Sequence, residues 1–373
     1  MIYFDSAATT FQKPPEVARA VGNALATMSS PGRGGYSAAM QAAETAFACR
    51  EELAELFRVE NPERVVFTMN ATHALNLAIK SLVHPGDRVV ISGYEHNAVT
   101  RPLTALKANV VVAQGPLFQP DKTLEAFRRL MTPDTKAVIC NHVSNVFGFI
   151  QPIEEIAALC RKRRVPLVID ASQSAGVLPL DMGALGAAFM AMPGHKGLYG
   201  PQGTGVLLCG DVVSEPIMEG GTGSLSVQQE MPEFLPDRLE AGTHNMPGIA
   251  GLLAGVRFIR RRGVDPICKH ERSLTFLMAE RLKQIRGLRV FSLPGLRNQT
   301  GVLSVVPEGR DVEQVGELLA AQGIAARTGL HCAPLAHRSA GTLDTGTIRI
   351  SVSAFNTPEE CFRFLKIIRQ IVG

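Results

Sequence analysis

The chain has 373 residues, 46% of them hydrophobic and 19% charged, long enough at roughly 150 residues per domain for about two domains with sizeable cores. Thirty-eight Lys and Arg against 34 Asp and Glu leave a net charge of +4, spread along the sequence, which argues against a nucleic-acid footprint. No run approaches the ~18 apolar residues of a membrane span, and the first residues lack the pattern of a signal peptide. Seven scattered cysteines with no CxxC pair argue against a disulfide framework or a zinc site. The expectation is a cytoplasmic protein that binds neither nucleic acid nor membrane and holds no metal.

In chain order, the residues from about 15 to 210 alternate between helical patterns and short β-branched runs. Helices are predicted at 37–57, 72–82 and 153–164, and strands at 65–67, 88–91, 110–112, 137–140, 166–170, 187–191 and 204–208. That alternation predicts an α/β domain with a mostly parallel sheet covered on both faces. Residues 215–244 are irregular and rich in Gly, Pro, Ser and Thr, and a long loop in a compact domain is usually functional. A helix at 247–262 leads to strands at 302–305 and 348–352 and helices near 311–322 and 357–371, read as a smaller α+β domain. The division predicted is 15–258 for the large domain and 1–14 with 259–373 for the small one. Basic runs at 161–164 and 260–262 close helical patterns, where cations suit the negative helix end; both read as solvated termini.

Three segments carry chemistry. VPLVIDASQS ends a buried strand on Asp170, at the sheet edge where open α/β folds bind ligands; on this segment alone, a turn or cap residue is the favoured reading. Twenty-six residues on, GHKGLYGP sets Lys196 among glycines between two apolar runs, with His195 beside it. Partial desolvation would lower the lysine's pKa from its usual ~10.4 and permit a Schiff base. In VVFTMNATHALNLAIK a strand gives way to a helix at Asn70 to Thr72, where free N–H groups and the Thr72 hydroxyl suit a phosphate. A Schiff-base lysine, an acid for a ring nitrogen and a phosphate cradle are together what pyridoxal phosphate chemistry needs.

In combination, EHNAV (His96), HVSNVFG (Asn145), IDASQ (Asp170, Gln173), GHKGLYGP (Lys196), EAGTHN (Thr243) and RTGLHCAP (Cys332) resemble the cysteine desulfurases. These are class V members of the aminotransferase-like, fold-type I pyridoxal phosphate enzymes. The likeness runs from FDSAATT to RISVSAFNTPEE, and implies the fold-type I transferase fold with a seven-stranded sheet. It implies that Lys196 carries pyridoxal 5'-phosphate covalently, that Asp170 pairs with the pyridine nitrogen and that His96 stacks on the ring. Asn145 and Gln173 match contacts around the phenolic oxygen; Ala71, Thr72, His195 and, from a partner subunit, Thr243 match phosphate positions, so a homodimer is implied. Arg349 in GTIRIS matches the clamp of the substrate carboxylate, a task for a bidentate guanidinium, with Asn145 and Arg327 beside it.

RTGLHCAPLAH is a Gly- and Pro-rich turn that exposes Cys332, with Arg327 and His331 expected to be nearby cations that favour the thiolate. The short loop is similar to the group II, selenocysteine-lyase-like branch, which commonly hands sulfur to an acceptor protein. The catalytic residues implied are Lys196, Cys332 and His96, acting on L-cysteine or L-selenocysteine. Selenocysteine lyase, another class V lyase or aminotransferase, and an idle cofactor-binding partner of a sulfur-transfer system remain as alternatives. The chain departs from the family pattern at Pro193, where a serine is usual, at Ala71, where a threonine is usual, and at PGRGGYS with Arg33, where HRG is usual.

Overall fold

The structure, a computed structural model, describes residues 1–32 and 34–373; Arg33, singled out above, lies outside the described residues. The first half runs β1 (Ile2–Tyr3), α1 (Pro15–Thr27), α2 (Ser37–Phe57), β2 (Val65–Thr68), α3 (Ala71–Leu82), β3 (Arg88–Ser92), α4 (Asn97–Ala105), β4 (Asn109–Ala113), α5 (Pro120–Leu130), β5 (Thr135–Asn141), α6 (Ile153–Arg163), β6 (Leu167–Asp170), α7 (Met182–Leu185), β7 (Phe189–Pro193) and β8 (Gly205–Cys209). There follow α8 (Met246–Arg262), α9 (Val264–Leu282), β9 (Leu288–Phe291), β10 (Val302–Pro307), α10 (Val312–Ala321), β11 (Ile324–Ala325), β12 (Arg327–Gly329), α11 (Pro334–Ala340), β13 (Thr347–Ser351) and α12 (Pro358–Val372). Each of the seven strands expected before residue 210 is present, to within a few residues.

Those strands form one seven-stranded sheet in the order β2-β8-β7-β6-β5-β3-β4, parallel except where β8 runs against both neighbours. Side chains alternate between its faces, as the pleat requires. Val90, Val138, Ile169 and Met190 point into one core with α2, α6 and α8; Val89, Ile139, Val168 and Phe189 point into the other with α3 and α4. Because β3, β5, β6 and β7 are mutually parallel, Ser92, Asn141, Asp170 and Pro193 all end on one edge. That edge is where an open parallel sheet presents its ligand-binding loops.

A third core surrounds the antiparallel sheet β12-β13-β10-β9, packed by α9, α10 and α12. The chain's start belongs there too: β1 pairs with β11, and Ile2 and Phe4 are buried in that core. A fourth cluster, with Tyr94, Phe147, Phe149, Phe291, Ala333 and Ala336, joins the two sheets. The two basic helix ends are engaged with protein as well as solvent: Arg161 donates to the carbonyls of Ala184 and Leu185, and Arg260 pairs with Glu52 and Glu55. No helix among the described residues is long and apolar enough to cross a membrane.

Candidate active site

A cavity of about 200 Å³ opens at the edge where the parallel strands end. It is bordered by Asn70, Ala71 and Thr72 from the start of α3, His96 before α4, Asn145 after β5, Asp170 and Gln173 after β6, and His195 and Lys196 after β7. Arg327 and His331 from the small sheet and Arg349 of β13 complete it, with Pro193 also on its wall. Residues more than 270 positions apart in sequence thus meet because the small sheet packs over the strand ends.

Lys196 is fixed by its glycine neighbours. A Cβ on Gly197 would lie 2.3 Å from the Ala175 carbonyl oxygen, so only glycine lets the lysine loop settle against the segment after β6. The His195 carbonyl accepts from the backbone N–H of Thr10, the Thr10 hydroxyl and Lys13 Nζ at 3.0–3.1 Å, which ties the chain's start to the residue before the lysine. Burial, opposed by the Asp170 carboxylate, lowers the Lys196 pKa to about 8. Near neutrality a sizeable fraction of the amine is therefore free, as a Schiff-base nucleophile requires.

Asp170 accepts the Ser172 N–H at 2.9 Å. His96 caps α4, its Nδ1 accepting the Ala98 N–H at 3.0 Å, which places the proton of the neutral ring on Nε2. Burial pushes His96 down to about 4, Asp170 opposing and Lys196 assisting, so the ring is uncharged and suited to stacking on another ring. Asn145 Nδ2 donates to the His331 carbonyl at 2.9 Å and Gln173 Nε2 to the Ala7 carbonyl at 2.9 Å. Asn145 Oδ1 and His195 Nδ1 are buried without hydrogen-bond partners among the described residues.

At α3, Asn70 Oδ1 accepts the His73 N–H at 2.9 Å. The N–H groups of Ala71 and Thr72 have no partner among the described residues and sit at the positive helix end beside the cavity. A Cβ on Gly205 would lie 2.6 Å from the Asn70 backbone, so β8 also supports this turn. Thr243 is elsewhere: it is exposed on the wall of a separate cavity of about 260 Å³, with Thr68, His73 and Asn245.

Arg349, 1% exposed, donates to Asp5 Oδ1 at 2.6 Å and to the Asn145 carbonyl at 3.1 Å, while its Nε is buried and unpaired. Burial lowers its pKa and Asp5 raises it. Cys332 follows His331 of the cavity wall and is exposed, whereas Cys49, Cys140, Cys160, Cys209 and Cys361 are buried and Cys268 is partly so. The Cys332 carbonyl accepts the Asn97 N–H at 2.8 Å, next to His96. His331 and Cys332 both have left-handed backbones, with φ of 51° and 55°, a conformation that costs a non-glycine residue about 1–2 kcal/mol. Arg327 Nη2 stands 3.9 Å from the thiol sulfur.

The expectation that His331 adds positive charge beside Cys332 is corrected. His331 is 3% exposed, with Nε2 against Thr347 at 3.0 Å, and burial together with Arg349 pushes its pKa down to about 2. Arg327 is left as the neighbouring cation. The sequence reading also gave no role to Asp5, Thr10 and Lys13 individually, to Glu95, or to Glu240. The last accepts Arg50 at 2.6 and 2.8 Å, His244 at 2.5 Å and the Phe67 N–H, tying the Thr243 loop to β2. The available signal was an acidic or basic residue inside a quoted motif: FDSAATT, EHNAV and EAGTHN each hold one.

The family described as Aminotransferase class-V matches residues 2–364. A probable cysteine desulfurase of Mycolicibacterium paratuberculosis is 33% identical over 384 residues, covering 100% of this chain and 55% of that protein. Another, of Methanothermobacter thermautotrophicus, is 33% identical over 387 residues, covering 100% of this chain and 95% of that protein. The chain thus spans about half the length of the first relative and nearly all of the second. Among solved structures, an apo cysteine desulfurase from Thermococcus onnurineus NA1 superposes with a TM-score of 0.90 at 29% identity, covering 100% of this chain and 94% of that one.

Proposed function

This chain belongs to the class V aminotransferase family, and from that premise we propose that it is a pyridoxal 5'-phosphate-dependent cysteine desulfurase. The reaction takes L-cysteine and the Cys332 thiol to L-alanine and a persulfide on Cys332. The observation that carries this reading is one cavity that joins Lys196, Asp170, His96 and Arg349, with the exposed Cys332 next in the chain to His331 of its wall.

The residues fit the cofactor. The unpartnered N–H groups of Ala71 and Thr72 suit its phosphate, the Lys196 amine its aldehyde, Asp170 its pyridine nitrogen and the uncharged His96 its ring face. His195 and Gln173 border the same space, and Asn145 brings a buried oxygen with no partner among the described residues. Thr243, exposed and outside this cavity, fits a phosphate contact made to a second copy, and a homodimer is part of the proposal. When bound, pyridoxal phosphate supplies an electron sink that acidifies the substrate α-carbon.

The chain's own residues supply the rest. Arg349 holds the substrate carboxylate, with Arg327 and Asn145 beside it, and so fixes which substrate bonds face Lys196 and Cys332. The Lys196 amine takes the α-proton, for which its pKa near 8 is suited. Cys332 Sγ attacks the substrate sulfur; the new S–S bond forms as the bond from sulfur to the β-carbon breaks. The substrate carbon is reduced, the transferred sulfur is oxidised to the persulfide level, and the thiol hydrogen balances the new C–H of alanine.

The proposed domain division is 15–258 against 1–14 with 259–373, for which the separate core around the small sheet, holding Ile2 and Phe4, speaks, while Ile259, Ile267 and Ala354 pack into the large-sheet core. The exposed Cys332 fits hand-over to an acceptor protein in the cytoplasm. The test is to incubate cofactor-loaded protein with L-cysteine, quantify alanine, and map the persulfide by mass spectrometry beside Cys332→Ala. Alanine and a Cys332 persulfide, both lost in the variant, are the expected result. Alanine formed from selenocysteine but not from cysteine would instead assign a selenocysteine lyase.

A further inference from the structure

Strands β12 and β13 pair antiparallel with Arg327 directly opposite Arg349, and both residues border the cavity that holds Lys196. Like charges facing each other across two strands destabilise a sheet, and Arg349 is buried, so little water shields it. One acid answers this pair among the described residues. Asp5 Oδ1 accepts from Arg349 Nη2 at 2.6 Å, whereas Arg327 has no ion pair. Burial and Arg327 both push the Arg349 guanidinium towards losing its charge, and Asp5 opposes them.

The backbone fixes Asp5 in this place. It bridges to Ser351 in parallel register; the Phe4 carbonyl accepts the Ser351 N–H at 2.8 Å, and Ser351 Oγ accepts the Ala7 N–H at 2.9 Å. Ser351 and Arg349 are two apart on β13 and so share a face of the sheet, which sets the Asp5 carboxylate beside the guanidinium. Arginine has five N–H donors. Here one goes to Asp5 and one to the Asn145 carbonyl, and Nε is buried with no partner among the described residues. Donors therefore remain for a ligand carboxylate with Asp5 still in place.

We propose that Asp5 is a specificity-determining residue, which selects amino acids with one carboxylate and an uncharged side chain over those with a second acid. The inference rests on the reading of Arg349 as the clamp of the substrate carboxylate. Two arginines and one aspartate leave one net positive charge, which a single carboxylate neutralises.

Arg327 is also the cation 3.9 Å from the Cys332 thiol, where the substrate's side chain must lie if its sulfur is to be attacked. An acidic side chain would find there a cation whose field Asp5 already offsets, and would bring a second anion towards Asp5 itself. A neutral thiol side chain meets neither penalty. Selectivity of this kind comes from repulsion of the wrong ligand as much as from attraction of the right one. The remaining charges that act on the group are Lys196 and Asp170, which in the reading above face the cofactor.

The test compares two ligands of similar size in cofactor-loaded protein: L-2-aminobutyrate, with one carboxylate, and L-aspartate, with two. Each Kd is read from the absorbance of the bound cofactor, without turnover. The unaltered protein should bind L-2-aminobutyrate more tightly by about tenfold or more; equal affinity for the two overturns the proposal without any variant. In Asp5→Asn, which keeps the shape and loses the charge, the ratio of the two Kd values should move about tenfold or more towards L-aspartate. Asp5→Asn combined with Arg327→Gln restores the net charge and should return the ratio to within about threefold of that of the unaltered protein. An unmoved ratio in Asp5→Asn, or a moved ratio that the second substitution leaves in place, overturns the proposal, because shape and not charge would then be at work. Arg349→Gln separates this from the premise. L-2-Aminobutyrate bound there as tightly as by the unaltered protein removes the clamp reading, whereas weakened binding there with an unmoved ratio in Asp5→Asn removes the role of Asp5 alone.

Discussion

The loop that holds Lys196 and the loop that holds His331 and Cys332 both contribute to the cavity wall and are built in opposite ways. Lys196 hangs between two fully paired strands, its neighbouring backbone anchored by Thr10 and Lys13 and by a glycine contact no other residue permits. Cys332 sits on a turn with two successive left-handed residues, exposed, and tethered by the Asn97 N–H and by Asn145. A proton-transferring amine benefits from a dry, fixed setting that lowers its pKa. A sulfur carrier must instead meet a substrate on one side and an acceptor on the other, which only an exposed position allows.

The sharpest way to break the comparison is at the fixed end. Lys196→Ala is expected to lower alanine formation by a factor on the order of 10⁴ or more, since both the cofactor bond and the proton transfer are lost. Borohydride reduction should then tag no lysine; a tag at Lys13 or elsewhere would place the cofactor wrongly here. At the exposed end, Cys332→Ala should lower alanine formation from L-cysteine about 100-fold, or ~2.7 kcal/mol of barrier. The absorbance of bound cofactor and the turnover of selenocysteine should survive, because nothing in the Lys196 loop leans on the thiol. Loss of cofactor in Cys332→Ala would show that the two loops are one unit.

Between the two ends stands Arg349. Arg349→Lys keeps a cation but loses the planar fork that reaches Asp5 and the Asn145 carbonyl together. The expected outcome is a KM for L-cysteine raised about tenfold, ~1.4 kcal/mol, with a smaller change in kcat. Equal falls in kcat and kcat/KM with an unchanged KM would move Arg349 from substrate binding to the chemical step.

The same contrast decides what could be read from the sequence. The large sheet was legible because each of its strands is a short apolar run, most of them rich in β-branched residues, set off by helical patterns or turns, and the sheet's parallel direction then delivers Asp170, Asn145 and Lys196 to one edge. The small sheet was only half visible: β10 is a mostly apolar run and β13 alternates polar and apolar residues, but β9 has only four residues and β11 and β12 have two and three. Their pairing with β1 and β13 is a tertiary fact with no local signature. His331 shows the same limit. Sequence places it beside Cys332, but its charge depends on burial against Thr347 and on Arg349, 18 residues away. Glu95 and Glu271 are likewise ordinary acids in sequence, and only the fold reveals that each is buried without a cation bonded to it.

Those two acids give the smallest expected effect. Glu95 accepts Ser92 Oγ at 2.5 Å and the Asn141 N–H at 2.8 Å, and burial raises it, like Glu271, to about 8. With folded-state pKa values above the unfolded ~4.3, the native state holds more protons than the unfolded one between these limits. Their stabilising contribution is therefore complete below pH 4 and is lost as pH rises towards 8. The buried histidines, lowered to about 4, act in the opposite sense, and their effect fades about one pH unit above ~6.5, where the unfolded side chain is half titrated. Lys196 and Lys13, both lowered to about 8, also act in the opposite sense and begin to do so about one pH unit below that value. In the window from pH 6.5 to 8, then, each glutamate's own share of the stability should fall with pH by an amount on the order of 1 kcal/mol per unit, read as the difference in melting temperature, a few degrees, between the protein and its glutamine variants. Glu95→Gln and Glu271→Gln should each flatten that slope, and the double variant should flatten it most. A slope unchanged in both would mean that these carboxyls are ionised in the folded protein and that water or a cation reaches the interior behind the lysine loop.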